Sequence, residues 1–196
     1  MLREDKFTDA TATISQRFMM LVQALSGIRS LTSITINSSE EEELLQQTMD
    51  ALSQNLDFER CSIFLLNNSE ELHCVVGKSW HQNEEINKMD LAKESHICEI
   101  GQGVMGRAAE NRQIYHCENC KADKNYLSII QPKIDNRSGS LISMPIMVGE
   151  ELLGVLNVSH PEPHFFHPWQ EHVISIHADI MAQLLYNHRL MKDMST

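Results

Sequence analysis

Residues 140–159 read SLISMPIMVGEELLGVLNVS. Two runs rich in apolar and β-branched residues, Leu141 to Val148 and Glu151 to Ser159, flank Gly149-Glu150. Two residues with a glycine between apolar runs are the signature of a tight antiparallel hairpin. An antiparallel sheet is therefore expected in the second half of the chain. Working outward, His167-Pro168 sets proline at the first position of a helix, and Trp169, Val173, Ile176, Ile180 and Leu184 recur every three or four residues after it. A long C-terminal helix to about Leu190 follows from that spacing.

Upstream, Cys61 to Leu66 and Leu72 to Gly77 are short strand-like runs separated by the turn residues Asn67-Asn68-Ser69-Glu70. Before them, Ser39 and Glu42 have capping-box spacing, and Leu45, Met49, Leu52 and Leu56 give a buried face to a helix over about 40–56. The acids Glu40 to Glu43 suit the positive end of its dipole. Ile14, Phe18, Leu21, Leu25 and Ile28 form a narrow stripe of heptad rhythm, which asks for a partner helix in its own copy or at the C-terminus. The polar, aperiodic run Ser79 to Lys93 reads as a connection. Gly101 to Gly106 should open a brief helix ending near Asn111, followed by a strand at Ile114 to Cys117 and a loop to Arg137. Helices at both ends and an antiparallel sheet between them make an α+β fold.

Composition narrows the function. At 196 residues and 42% hydrophobic content the chain can bury one core, and its net charge of −11 disfavours phosphate backbones, so nucleic acid is not an expected partner. No run is long and apolar enough for a membrane span, and the opening Met1 to Lys6 lacks a secretion signal, so a cytoplasmic location is expected. The five cysteines, Cys61, Cys74, Cys98, Cys117 and Cys120, are an odd set better read as reduced thiols than as a disulfide framework.

Four blocks in order resemble one family: Cys61-Ser-Ile-Phe-Leu-Leu, Gly101-Gln-Gly-Val-Met-Gly-Arg-Ala-Ala-Glu with Lys121-Ala-Asp after it, Ser140-Leu-Ile-Ser-Met-Pro-Ile, and Leu153-Gly-Val-Leu-Asn-Val. They resemble GAF domains, the small-molecule sensing modules of signalling proteins. The resemblance implies an antiparallel sheet of about six strands, terminal helices on one face, a ligand pocket on the other, and dimers joined through the terminal helices. It divides the chain into a signalling or dimerisation helix at 1–37, a GAF domain at 38–192, and a tail or linker start at 193–196, with an output domain such as a diguanylate cyclase or kinase expected beyond. The site residues it suggests are Gly103, His116, Cys117, Cys120, Asp123, Tyr126, Arg137 and Ser143, around a small-molecule ligand of unknown identity and with no cofactor required.

Competing chemistry is weighed on the same residues. Gly101-x-Gly103-x-x-Gly106 matches a dinucleotide fingerprint, but that motif needs a buried parallel strand before it, and His96-Ile-Cys-Glu-Ile is short and polar. Cys117-x-x-Cys120 beside His116 could hold a metal or act as a redox pair, yet no second such pair completes four zinc ligands; His96, Cys98 or Cys74 would have to be brought in by folding. The alternative is that both cysteines pack as small hydrophobes. His160, His164, His167, His172 and His177 leave a haem ligand open. GAF-type free methionine-(R)-sulfoxide reductases carry cysteines in the loop before the strand at Ser140, and Lys121 to Ser140 has none. The bilin attachment order and the cyclic-nucleotide signature are also missing. A non-catalytic sensor is the expectation.

Overall fold

A computed structural model describes residues 22, 25, 26, 29, 40–53, 56, 58–81, 84–86, 97–126 and 139–194. The elements run α1 Glu41–Ser53, β1 Arg60–Leu66, β2 Glu71–His81, β3 Glu84–Ile86, β4 Ile97–Glu99, α2 Gly103–Asn111, β5 Tyr115–Cys117, β6 Ser140–Val148, β7 Glu151–His160 and α3 Pro168–Met194. Six strands lie in the order β3-β2-β1-β7-β6-β5, and β4 adds to β2 from off this path. Every pairing is antiparallel. The hairpin at Gly149-Glu150 closes as its sequence dictates, with Val148 opposite Glu151.

Successive side chains of a strand point to opposite faces, and residues opposite one another across a ladder share a face. One such row runs His116, Ile142, Val158, Cys61, Lys78 and the next runs Met144, Leu156, Ile63, Val76. This near face is covered by α1 and α3. Leu45, Met49 and Leu52 of α1 and Ile174, Met181 and Leu185 of α3 are fully buried against it. Each such side chain removed from water contributes about 1.5–3 kcal/mol before entropy is counted. At the helix ends Arg189 Nε and Nη2 donate to Glu41 at 2.8 and 3.0 Å, a two-point clasp between α3 and α1.

The sequence expectations are corrected in two places. The run 79–93 is not simply a connection: β2 continues to His81 and pairs with β3 at Ser79↔Ile86, Trp80↔Glu85 and His81↔Glu84. A ladder is a backbone property, so an edge strand can form without the apolar alternation that would announce it. Along α3 the buried stripe is Val173, Ile174, His177, Ala178, Met181, Ala182, Leu185 and His188. The expected stripe through Ile176, Ile180 and Leu184 is rotated from it and only half-buried. The heptad stripe falls largely outside the described residues, as does the Ser39 cap; Leu25 is helical and 57% exposed. At the start of α3 the Gln170 side chain instead accepts from the His167 amide at 2.9 Å, half of a capping box around Pro168.

Two consequences are measurable. A Cβ at Gly154 would stand 2.1 Å from the Phe64 carbonyl oxygen, backbone that cannot yield cheaply. Gly154→Ala is therefore expected to lower stability by about 1–3 kcal/mol, seen as a lower urea midpoint at unchanged m; an unchanged midpoint would show that β1 and β7 separate freely. His177 is wholly buried, with Nδ1 2.9 Å from the Val173 carbonyl, and burial lowers its pKa from the usual 6.5. The folded state then binds fewer protons than the unfolded one below that value, so this contribution is intact above 6.5 and is lost as pH falls toward the folded value. His177→Leu should flatten the acid limb of the urea midpoint against pH; a limb parallel to that of the parent would contradict this.

Candidate functional site

The other face of the sheet is built differently. Pro145, Val155, Phe64 and Cys74 form an apolar row across it. Met105 and Ala109 of α2 close over this row together with Leu72 and Cys98. The next row is Tyr115, Ser143, Asn157, Ser62 and Gly77, and the one after it Cys117, Leu141, Ser159, Arg60. A polar line thus crosses the interior strands of the sheet.

Helix α2 reaches this face because its first turn is glycine-rich. Gly103 has φ 63, the left-handed region glycine adopts without strain. A Cβ on Gly106 would stand 2.4 Å from the Glu99 carbonyl oxygen, so glycine there lets the helix press on β4. The Gly101 amide donates to the Gly106 carbonyl at 2.8 Å and ties the turn to the helix. The dinucleotide reading fails here, because the preceding strand β4 has three residues and runs antiparallel to β2. The glycines serve close packing.

The sequence-derived site residues separate into groups. Cys117 and Cys120 are buried beside Val104, packed on by Tyr115, Tyr126 and Leu141. The Cys117 thiol is pushed up, first by its hydrogen bond with Cys120, then by burial and the nearby Asp123. Burial also raises Cys98 and Cys61, and takes Cys74 to about 12. A thiolate is the reactive and metal-binding form, and burial disfavours it at each of these sites. Asp123 accepts from the Tyr115 hydroxyl at 3.2 Å and from the Asn125 amide at 2.7 Å, and Asn125 Nδ2 donates to the Tyr115 oxygen at 2.8 Å. Asp123 is thus tied to Tyr115 on β5, and Tyr126 packs on the cluster of Val104, Cys117 and Cys120. Ser143, fully buried, donates to Asn157 Oδ1 at 2.6 Å, and Asn157 Nδ2 donates to the Met105 sulfur at 2.9 Å. Arg137 lies outside the described residues.

His116 is the correction. One residue before Cys117, it must point to the opposite face of β5. Its Nδ1 lies 3.2 Å from Glu171 of α3 and its ring meets Phe166 edge-on at 6.3 Å. The set Cys117, Cys120 and His116 therefore cannot share one ion, and among the described residues no group of three or more His, Cys, Asp or Glu is arranged to hold a metal. Likewise, no described helix is long and apolar enough to cross a membrane.

Sequence reasoning missed Asn157, Ser62 and Tyr115. Only the cross-strand register brings them together, although a polar Asn inside the apolar run LGVLNV was a signal. The GAF domain model matches residues 40–185. The chain belongs to the GAF domain family. Among solved structures this GAF domain is similar to one from a phosphoenolpyruvate-protein phosphotransferase of Coxiella burnetii, with TM-score 0.70 and 17% identity over 90% of this chain and 98% of that one. It is similar also to the free methionine-R-sulfoxide reductase of Neisseria meningitidis in complex with its substrate, with TM-score 0.67 and 16% identity over 86% and 93%. At such identities the likeness is one of fold. A cone cGMP-specific 3',5'-cyclic phosphodiesterase subunit alpha' of Gallus gallus is 23% identical over 168 residues, 81% of this chain and 19% of that protein. The chain thus spans about a fifth of that relative.

Buried packing thiols should not react. In the folded protein Cys117 and Cys120 are expected to resist Ellman's reagent and to label on unfolding in urea, followed by mass spectrometry of the labelled peptides. Rapid native labelling of either would show an open, activated pair.

Proposed function

We propose that this GAF domain is a non-catalytic sensory module that binds a small molecule on the far face of its sheet. The observation that carries this reading is the half-exposed polar row on β1 and β7. These are interior strands, buried on their near face, yet Ser62 and Asn157, with Gly77 of β2 beside them, keep partial access to solvent. A polar notch in the middle of a sheet costs stability that burying apolar residues there would not, which is expected of a recognition surface. The Gly101 to Tyr126 segment borders this notch, and ordering it on a ligand would be felt at β5, whose His116 grips Glu171 of α3. A ligand can shift such an equilibrium only by its differential affinity for two states, and a dimer joined through terminal helices in two arrangements supplies them. In this reading the domain is the input part of a cytoplasmic signalling protein, feeding an output unit such as a diguanylate cyclase or kinase.

Two readings with chemistry of their own are weaker. A redox or metal sensor at Cys117 and Cys120 would need accessible thiolates, and both thiols are buried. A sulfoxide reductase of the Neisseria kind would need an attacking cysteine beside the ligand, and the segment Lys121 to Ser140 offers none. The protein is expected to show no turnover of free methionine sulfoxide with thioredoxin as reductant, and native mass spectrometry of freshly purified protein is expected to show a dimer carrying a small molecule. Turnover above the reagent blank, or a ligand-free monomer at all concentrations, would overturn the proposal.

A further inference from the structure

Helix α3 carries more apolar pattern than the core uses. Ile176, Ile180, Gln183, Asn187, Leu190 and Met194 follow one another at spacings of four, three, four, three and four, the heptad rhythm that keeps one narrow seam along a helix. This seam runs along the side of α3 away from the fully buried Ile174, Met181 and Leu185. Ile176 and Ile180 on it are only half-buried, Gln183 and Asn187 are exposed, and Leu190 and Met194 are 44% and 87% exposed. Single exposed apolar residues are ordinary, whereas a seam of this rhythm asks for a second helix. The N-terminal heptad stripe of the same chain does not supply it through Leu25, which is helical and 57% exposed.

The polar members of the seam indicate what that helix is. Gln183 and Asn187 interrupt it near the middle, and a wholly apolar partner would bury both amides unsatisfied. An amide both donates and accepts, so a second copy of the same seam can satisfy them by pairing amide with amide. The charges beside the seam choose the direction. Asp179 and Asp193 are exposed, two heptads apart on one edge of it. Two antiparallel copies that set Gln183 against Asn187 would bring Asp179 of one to the level of Asp193 of the other, a like-charge contact; parallel copies set Asp179 beside Leu184 instead. We infer that α3 pairs with α3 of a second copy of this chain, parallel and in register, with Ile176, Ile180, Leu190 and Met194 meeting their counterparts and Asn187 meeting Asn187. This rests on the reading of the protein as a dimer joined through its terminal helices, and it names the face and the direction. A lone Asn at such a position costs stability but fixes register and strand number.

The test is sedimentation equilibrium of the full chain, with near-ultraviolet circular dichroism to follow the core. The parent is expected to be a dimer. Leu190→Glu should weaken it by roughly a hundredfold or more, because it would bury a lone carboxylate in the seam, and should leave the dichroism unchanged because Leu190 lies outside the core. Met194→Glu should act in the same direction. Asn187→Leu should release larger oligomers alongside the dimer, the loss of specificity expected when the polar position is removed. For direction, Leu190→Cys and Met194→Cys chains should each cross-link to themselves on mild oxidation, read on non-reducing gels. Cross-linking only in a mixture of Ile176→Cys and Met194→Cys chains would show antiparallel copies and overturn the register. A dimer of unchanged strength in both Leu190→Glu and Met194→Glu, or one lost in Leu25→Glu alone, would overturn the α3 seam while leaving the protein a dimer. A parent monomeric at every concentration would overturn the seam and the dimer reading together.

Discussion

The period of two along β1, β7 and β6 is the constraint on which the rest depends. It sends Cys61, Ile63, Val158, Leu156, Ile142 and Met144 to one face and Ser62, Phe64, Asn157, Val155 and Ser143 to the other. The first set is apolar and is sealed by two helices. The second mixes an apolar row with a polar one, so α2 can seal only part of it. A slip of one residue in either central pairing would exchange the two faces and put Asn157 into the core. The register is therefore held from both sides: by the burial of the near face, and by Gly154, where the backbones of β7 and β1 approach too closely for any Cβ.

The same alternation organises the segment between α2 and β6. Cys117 and His116 are neighbours in sequence, yet one helps to seat α2 and the other reaches α3. β5 thus touches both layers of the molecule, with the candidate ligand face on one side and the long terminal helix on the other. The Glu118 backbone adds to this link by accepting from the His164 amide at 2.7 Å, and the Cys120 amide donates to Gly139 at 2.8 Å.

The helices show how apolar pattern and buried chemistry diverge. His177 and His188 sit on the buried stripe of α3, each with Nε2 unpartnered by any hydrogen bond. Meanwhile Ile176, Ile180 and Leu184 are only half-buried, and Leu190, Met191 and Met194 are exposed. A helix with apolar residues on two adjacent faces can be read from its spacing as amphipathic, but which face meets the core is a question of what packs on it. Here α1 and β6 choose the stripe that includes the histidines.

Much of the fold was legible in the sequence because it rests on local rules. The hairpin at Gly149-Glu150, the Pro168 helix start, the α1 face through Leu45, Met49 and Leu52, and the glycine turn before α2 are each written within a few residues. Backbone ladders and cross-strand neighbours are not local. The pairing of β2 with β3 joins runs with no apolar alternation, and the row Tyr115, Ser143, Asn157, Ser62 joins positions more than fifty residues apart. The sequence by itself determined most of the element types, their order and the family. Only the tertiary structure decided which side chains share it, since a strand's neighbours are set by register and its facing by alternation. That is why His116 left the site and Asn157 entered it.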